Sequence, residues 1–227
     1  MQSVSFFTFI SYYHDRIASA TLEHLFIVLA SLPPAVVLGV ATGIFVHPRP
    51  ALARVVIGTA GVIMTVPSLA LFGLMVIVLG PVGLGLGPFP AVLAIILYSL
   101  LPIIRNTTSA LDGIDPGALV AARGMGLSPA QILFRIQLPL ALPVIMAGVR
   151  GALVLGVGVA AFAFLVAAGG LGYFVLAGIG RSNLYMVVTG AVLISILGVA
   201  VNYGMLIIEE KLTPRGIKLQ RKVQELD

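Results

Sequence analysis

The sequence predicts an all-α integral membrane protein with about five transmembrane helices, and three observations carry that prediction. Of 227 residues, 59% are hydrophobic and only 9% are charged, against about 25% charged in a soluble domain. Mean hydropathy is +1.14. The apolar residues form five long continuous runs without alternation at period two, which favours helices over a β-barrel. Such a chain cannot cover a water-facing surface, which excludes a cytosolic enzyme. About 20 apolar residues cross a bilayer core of about 30 Å, so five spans with short connections occupy nearly the whole chain. Residues 1–210 read as one membrane domain and 211–227 as a basic tail.

The N-terminal segment, 1–23, is polar and aromatic and carries Asp15 and Arg16. It lacks the basic start and small-residue cleavage site of a signal peptide, so the first span is expected to act as its own insertion signal. That span covers 25–45 and is interrupted by Pro33-Pro34. The second covers 55–79 with Pro67 inside, and the third covers 91–111 with Pro102 inside. Neighbouring helices can satisfy the carbonyls that such prolines free, and each proline is expected to mark a kink. The fourth span covers 140–168 and the fifth 184–208. Gly39 and Gly43 could let helices pack closely.

Two connections are unusual. Residues 80–88 are rich in glycine and proline and carry no charge. Residues 169–180 are too apolar for a free loop and too glycine-rich for a firm helix, which predicts a re-entrant or interfacial segment. The alternative is an extension of the fourth span.

The net charge of +5 is too sparsely distributed for a nucleic-acid surface and is read as a topology signal. Arg49 and Arg54 follow span one. Arg105, Arg123, Arg135 and Arg150 lie in or near the 3–4 connection, and Lys211, Arg215, Lys218, Arg221 and Lys222 follow span five. Arg16 and Arg181 fall on the other side. This bias predicts an external N-terminus and a cytoplasmic C-terminus, a parity that five spans satisfy.

Several chemistries lack their residues. Cysteine is absent, which removes disulfides, Cys-ligated zinc and thiol catalysis. Every lysine (Lys211, Lys218, Lys222) sits in the tail and none follows a glycine, so a P-loop is impossible. No cofactor is expected on this chain. His14, His24 and His47 have no metal-ligand spacing and read as interfacial or loop histidines. No acidic residue falls at the centre of a predicted span, whereas proton-coupled carriers keep an ionisable group there. A GxSxG nucleophile elbow is missing too.

The informative segment is the 3–4 connection, 115–139. Asp115 is an N-cap followed by Pro116, and Ser128 is an N-cap followed by Pro129. Gly124 or Gly126 can end the first short helix in a left-handed turn. The second short helix carries Ile132, Leu133 and Ile136 and is expected to stop before Leu138-Pro139. The result is a helix–turn–helix elbow on the membrane surface. Its Ala121 and Ala122 would allow close approach of a partner; the alternative is an ordinary loop with no partner.

Ala121-Ala122, Gly126 and Ile136-x-Leu138-Pro139 together resemble the EAA signature of permease subunits in binding-protein-dependent ABC importers. Further stretches resemble the osmoprotectant branch of that family: Glu23-His-Leu25, Pro67-Ser-Leu-Ala-Leu71, Leu101-Pro-Ile-Ile-Arg-Asn106, Ala121-Ala-Arg-Gly-Met-Gly126, the run from Leu138 to Gly148, and Gly169-Gly-Leu-Gly172. The likeness extends over most of 21–210. Val120 occupies the position of the signature's glutamate, so Arg123 and the backbone would carry more of the polar contact.

The resemblance implies a permease of the type I importer kind that passes quaternary amines such as glycine betaine, choline or carnitine. It implies two ATP-binding subunits carrying ATP and Mg, a second permease chain and an external binding protein. Ala121, Ala122, Arg123, Gly126, Ile136, Leu138 and Pro139 would couple to the ATPase. A quaternary amine has no N–H to donate and is held by aromatic faces. Phe72, Tyr98, Phe162, Phe164 and Tyr203 are therefore pathway candidates, with packing or lipid-facing roles as the alternative. Arg150, about ten residues into span four, is either a pathway charge or a residue paired near the cytoplasm, for instance with Asp112. A permease for methionine, another amino acid or another organic cation remains open, as does a scaffold or channel without an ATPase.

Overall fold

The computed structural model describes residues 6–213, and every regular element among them is helical. In order these are α1 (Phe6–Val46), α2 (Pro50–Thr65), α3 (Ser68–Leu79), α4 (Pro88–Asp112), α5 (Pro116–Gly124), α6 (Pro129–Ile132), α7 (Leu138–Val159), α8 (Gly172–Gly180) and α9 (Leu184–Leu212). Four helical stretches, Phe6–Val46, Pro88–Asp112, Pro129–Val166 and Leu184–Leu212, are long and apolar enough to cross a membrane. A fifth crossing would be the bent pair α2–α3.

The first span is longer than expected. Helix α1 has 41 residues and continues through Pro33 and Pro34, whereas an interrupted span beginning at residue 25 is expected from hydropathy alone. At 1.5 Å per residue it measures about 60 Å, twice a bilayer core. Glu23 and His24 consequently sit mid-helix and not in a loop. His24 is fully buried, and its Nε2–H donates to the Val157 carbonyl at 3.0 Å.

The second span is broken rather than kinked, with its halves bent by 99°. Pro67 disfavours the helical region for the residue before it, and Val66 is extended at ψ 126. The Tyr98 hydroxyl donates to the Val66 carbonyl at the break. The following loop holds a short 3₁₀ turn, Gly80–Val82. It is tied to the far end of the fourth span where Gly87 N–H donates to the Val166 carbonyl at 2.7 Å.

Helices α1, α4 and α7 enclose the main core, which includes Ile27, Ile95, Ile103, Val149 and Val157. Small residues permit the contact. A Cβ on Gly43 would lie 2.6 Å from Thr107 Cβ, and one on Gly148 would lie 2.5 Å from Asn106 Cβ. Glycine here lets backbones approach where lipid offers no hydrophobic drive for association. A smaller core of Phe9, Ala20, Leu171, Phe174 and Met186 joins the N-terminal half of α1 to α8 and α9.

Residues 169–180 do not extend span four. The chain leaves the helical region at Ala167 (φ 59), Gly169 (φ 80) and Gly170 (φ 90), and then forms the nine-residue α8. Gly172 packs on the Ala161 backbone, Phe174 against Tyr13 of α1 and Gly178 against Met186 and Val187 of α9, which sustains a helix that composition argues against. Tail residues Arg215, Lys218, Arg221 and Lys222 lie outside the described residues.

Candidate functional site: a coupling elbow on a continuous rod

The elbow is built from local signals. Asp115 Oδ1 accepts the Gly117 N–H at 3.0 Å and Pro116 opens α5. Arg123 lies in the last turn, where a cation favours the helix dipole. Gly126 makes the left-handed turn at φ +77, while Gly124 remains helical. Ser128 and Gln131 then form a reciprocal capping box.

Two expectations about this segment need correction. The second short helix does not stop before Leu138-Pro139. A π turn, Leu133–Gln137, carries it into α7, with Leu138 N–H bonded to the Leu133 carbonyl. Pro139 would collide with the carbonyl four residues back in a regular α-helix, and the wider turn relieves that conflict. Pro129–Val166 is thus one helical rod of 38 residues. In addition, Ala122 is not presented on the surface as expected: it is 0% exposed, covered by the chain's own packing. Ala121, Arg123 and Gly126 are exposed, and Ile136, Leu138 and Pro139 are half-buried.

Beside them Val120, Met125 and Phe134 project outward at 64%, 71% and 67% exposure. Sequence reasoning missed this apolar face; its only signal was large apolar residues in an otherwise loop-like stretch. Just before the elbow, His47 Nδ1 meets Asp112 Oδ1 at 3.0 Å, joining the ends of α1 and α4.

The pathway candidates do not converge. Phe72 and Tyr98 are core side chains. Phe162 packs half-buried against the same core, and Phe164 meets Tyr173 edge to face at 5.5 Å. Tyr203 is exposed and lines a groove of about 540 Å³ between α7 and α9 with Val154, Val157, Ser195, Gly198 and Asn202. Arg150 does not pair with Asp112. It donates to Asn202 Oδ1 at 3.3 Å, and its Nε lies 3.7 Å from Glu209 Oε2. Glu209 is reached because α9 continues past the expected end of the fifth span, so its last turn faces Arg150.

At the other end of the rod, Arg16 and Glu23 of α1 meet Gly170 of the preceding turn and Tyr173 of α8. Glu23 Oε2 accepts the Gly170 N–H at 2.8 Å, across 147 positions of sequence. Arg16 lies 3.4 Å from Glu23 Oε1, and its guanidinium carbon sits 5.0 Å from the Tyr173 ring centroid. Glu23 and Gly169-Gly170 stand in two of the family-like stretches, but nothing in the sequence says that they touch.

A family model, the binding-protein-dependent transport system inner membrane component, matches residues 35–215. The chain belongs to this family. It is 42% identical to the osmoprotectant import permease protein OsmW of Salmonella typhimurium, over 89% of this chain and 94% of that one. It is 35% identical to the carnitine transport permease protein OpuCB of Listeria monocytogenes, over 89% and 90%. With a glycine betaine/carnitine/choline permease protein of Bacillus subtilis it shares 31% identity over 95% and 97%. Among solved structures, the inward-facing MetNI methionine ABC transporter superposes with a TM-score of 0.78 at 26% identity, covering 87% of this chain and 96% of that chain. The chain is an ABC importer permease with the type I fold.

Proposed function

We propose that this permease passes quaternary-amine osmoprotectants of the glycine betaine, choline and carnitine type. The likeness to permeases named for those solutes, spread over nearly the whole chain, carries this reading. A complete transporter would hold two permease chains, two ATP-binding subunits with ATP and Mg, and an external binding protein. Residues 1–210 would act as the permease domain and 211–227 as a cytoplasmic tail.

The elbow end of the molecule gathers Arg49, Arg54, Arg123, Arg135 and Lys211, while Arg16 and Arg181 lie at the opposite end. That distribution supports a cytoplasmic elbow and an external N-terminus. Ala121, Arg123 and Gly126, with Val120, Met125 and Phe134 beside them, would form the surface gripped by the ATPase. Motion there would travel along Pro129–Val166 as a rigid body, and the two permease chains would rock about a central path. Arg150, Asn202 and Tyr203 are the side chains best placed to meet a solute between α7 and α9.

The test is uptake of labelled choline, glycine betaine and carnitine by proteoliposomes holding the full complex, with ATP and binding protein supplied. ATP-dependent uptake of one of them, with mutual competition, is expected. Uptake of methionine that none of the three inhibits would overturn the substrate reading.

A further inference from the structure

Glu23 is held in place by two features of the turn it contacts. Its carboxylate accepts the Gly170 N–H at 2.8 Å. It also fills the space that a side chain on Gly169 would need. One oxygen is thereby fixed on the backbone, and the other meets the Arg16 guanidinium, whose carbon lies 5.0 Å from the Tyr173 ring centroid. Phe164 stands edge to face against that ring at 5.5 Å. A fixed carboxylate beside an aromatic face is the environment that a cation without N–H donors requires. In this conformation the space holds a cation already, the Arg16 guanidinium.

Arg16 is loosely held there. Its single contact with Glu23 is 3.4 Å long, and the two side chains are 41% and 36% exposed. A strong Arg–carboxylate pair is bidentate and shorter, about 2.7–2.9 Å, and exposed pairs contribute little. Both side chains are only partly covered, at the end of the rod away from the elbow.

We propose that Glu23 and Tyr173, with Phe164 as a second wall, form a binding site for a quaternary ammonium headgroup, and that the Arg16 side chain is its internal stand-in, displaced when the solute binds. The inference rests on the quaternary-amine reading above and adds residues to it. It also places the solute where the rod ends, next to the hydrogen bond that joins α1 to the Gly169-Gly170 turn.

The probe is labelled choline, bound at equilibrium to the permease–ATPase complex in nanodiscs without binding protein. Saturable binding is expected, displaced by tetramethylammonium but not by 3,3-dimethyl-1-butanol, the neutral isostere of choline. Glu23→Gln, which keeps an acceptor for Gly170 N–H, and Tyr173→Leu should each weaken binding about tenfold, whereas Tyr173→Phe should stay within about twofold. Arg16→Gln should tighten binding several-fold, because it removes the competitor.

Unchanged choline binding in Tyr173→Leu, or no tightening in Arg16→Gln, would overturn the proposal. Those two variants decide the matter even if Glu23→Gln fails to assemble. A complex that imports choline while these variants bind it normally defeats this site alone. A complex that imports no quaternary amine defeats the reading beneath it.

Discussion

The two ends of the Pro129–Val166 rod are secured by different means. At the elbow, each turn is set by residues within a few positions of one another: Asp115 with Gly117, and Ser128 with Gln131. At the far end, the Gly169-Gly170 turn is held by Glu23, which is distant in sequence. The elbow can therefore keep its shape when the bundle around it moves, as a handle must. The far joint depends on the position of α1 relative to α8, so any rearrangement of those helices reaches it.

Substitutions can break this contrast, beginning with the largest effect. Gly169→Ala should destabilise the bundle by about 2–3 kcal/mol, the sum of left-handed strain and a displaced, partly buried hydrogen bond. A lowered melting temperature of the detergent-solubilised complex would report it, and wild-type stability would show that Glu23 does not hold the turn. Gly126→Leu imposes a similar φ penalty of about 1–2 kcal/mol, but nothing lies within 4 Å of the added Cβ. Membrane abundance should therefore persist while uptake is lost, because the bulk projects from the exposed face of the elbow. Normal uptake at normal abundance would remove the elbow from the coupling path.

Smaller changes sharpen the comparison. Ser128→Ala removes one half of the capping box and should cost about 1 kcal/mol, seen as faster hydrogen exchange confined to the start of the rod. Exchange that rises equally at Gly169-Gly170 would mean that the two ends are not independent. Tyr98→Phe removes the hydroxyl bonded to the Val66 carbonyl and should cost about 1 kcal/mol. Its effect belongs at the α2–α3 break, leaving both ends of the rod unaltered in the same exchange experiment.

The legible features share one property. Helix caps at Asp115 and Ser128, the left-handed turn at Gly126 and the apolar runs are all consequences of near neighbours, so spacing alone announces them. The misreadings share the opposite property. Helix α8 and the N-terminal half of α1 look too polar or too glycine-rich to persist, yet Phe9, Phe174 and Met186 bury one another across three elements. Ala122 looks presentable in sequence but is covered by packing. For Arg150 the sequence suggested Asp112 as a partner, and the continuation of α9 brings Glu209 to it instead.

Composition and spacing by themselves determined that this chain lives in lipid, spans it with helices, and turns through short capped helices between its third and fourth spans; the importer-permease character of that elbow came from resemblance. Hydrophobic excess and local capping are properties of short stretches, and each acts wherever the stretch is placed. Which faces of those helices meet was decided only in three dimensions. The joining of Glu23 to Gly170, the stacking of Arg16 on Tyr173, and the fusion of the elbow with the fourth span depend on distances between residues that the linear order keeps far apart or leaves ambiguous.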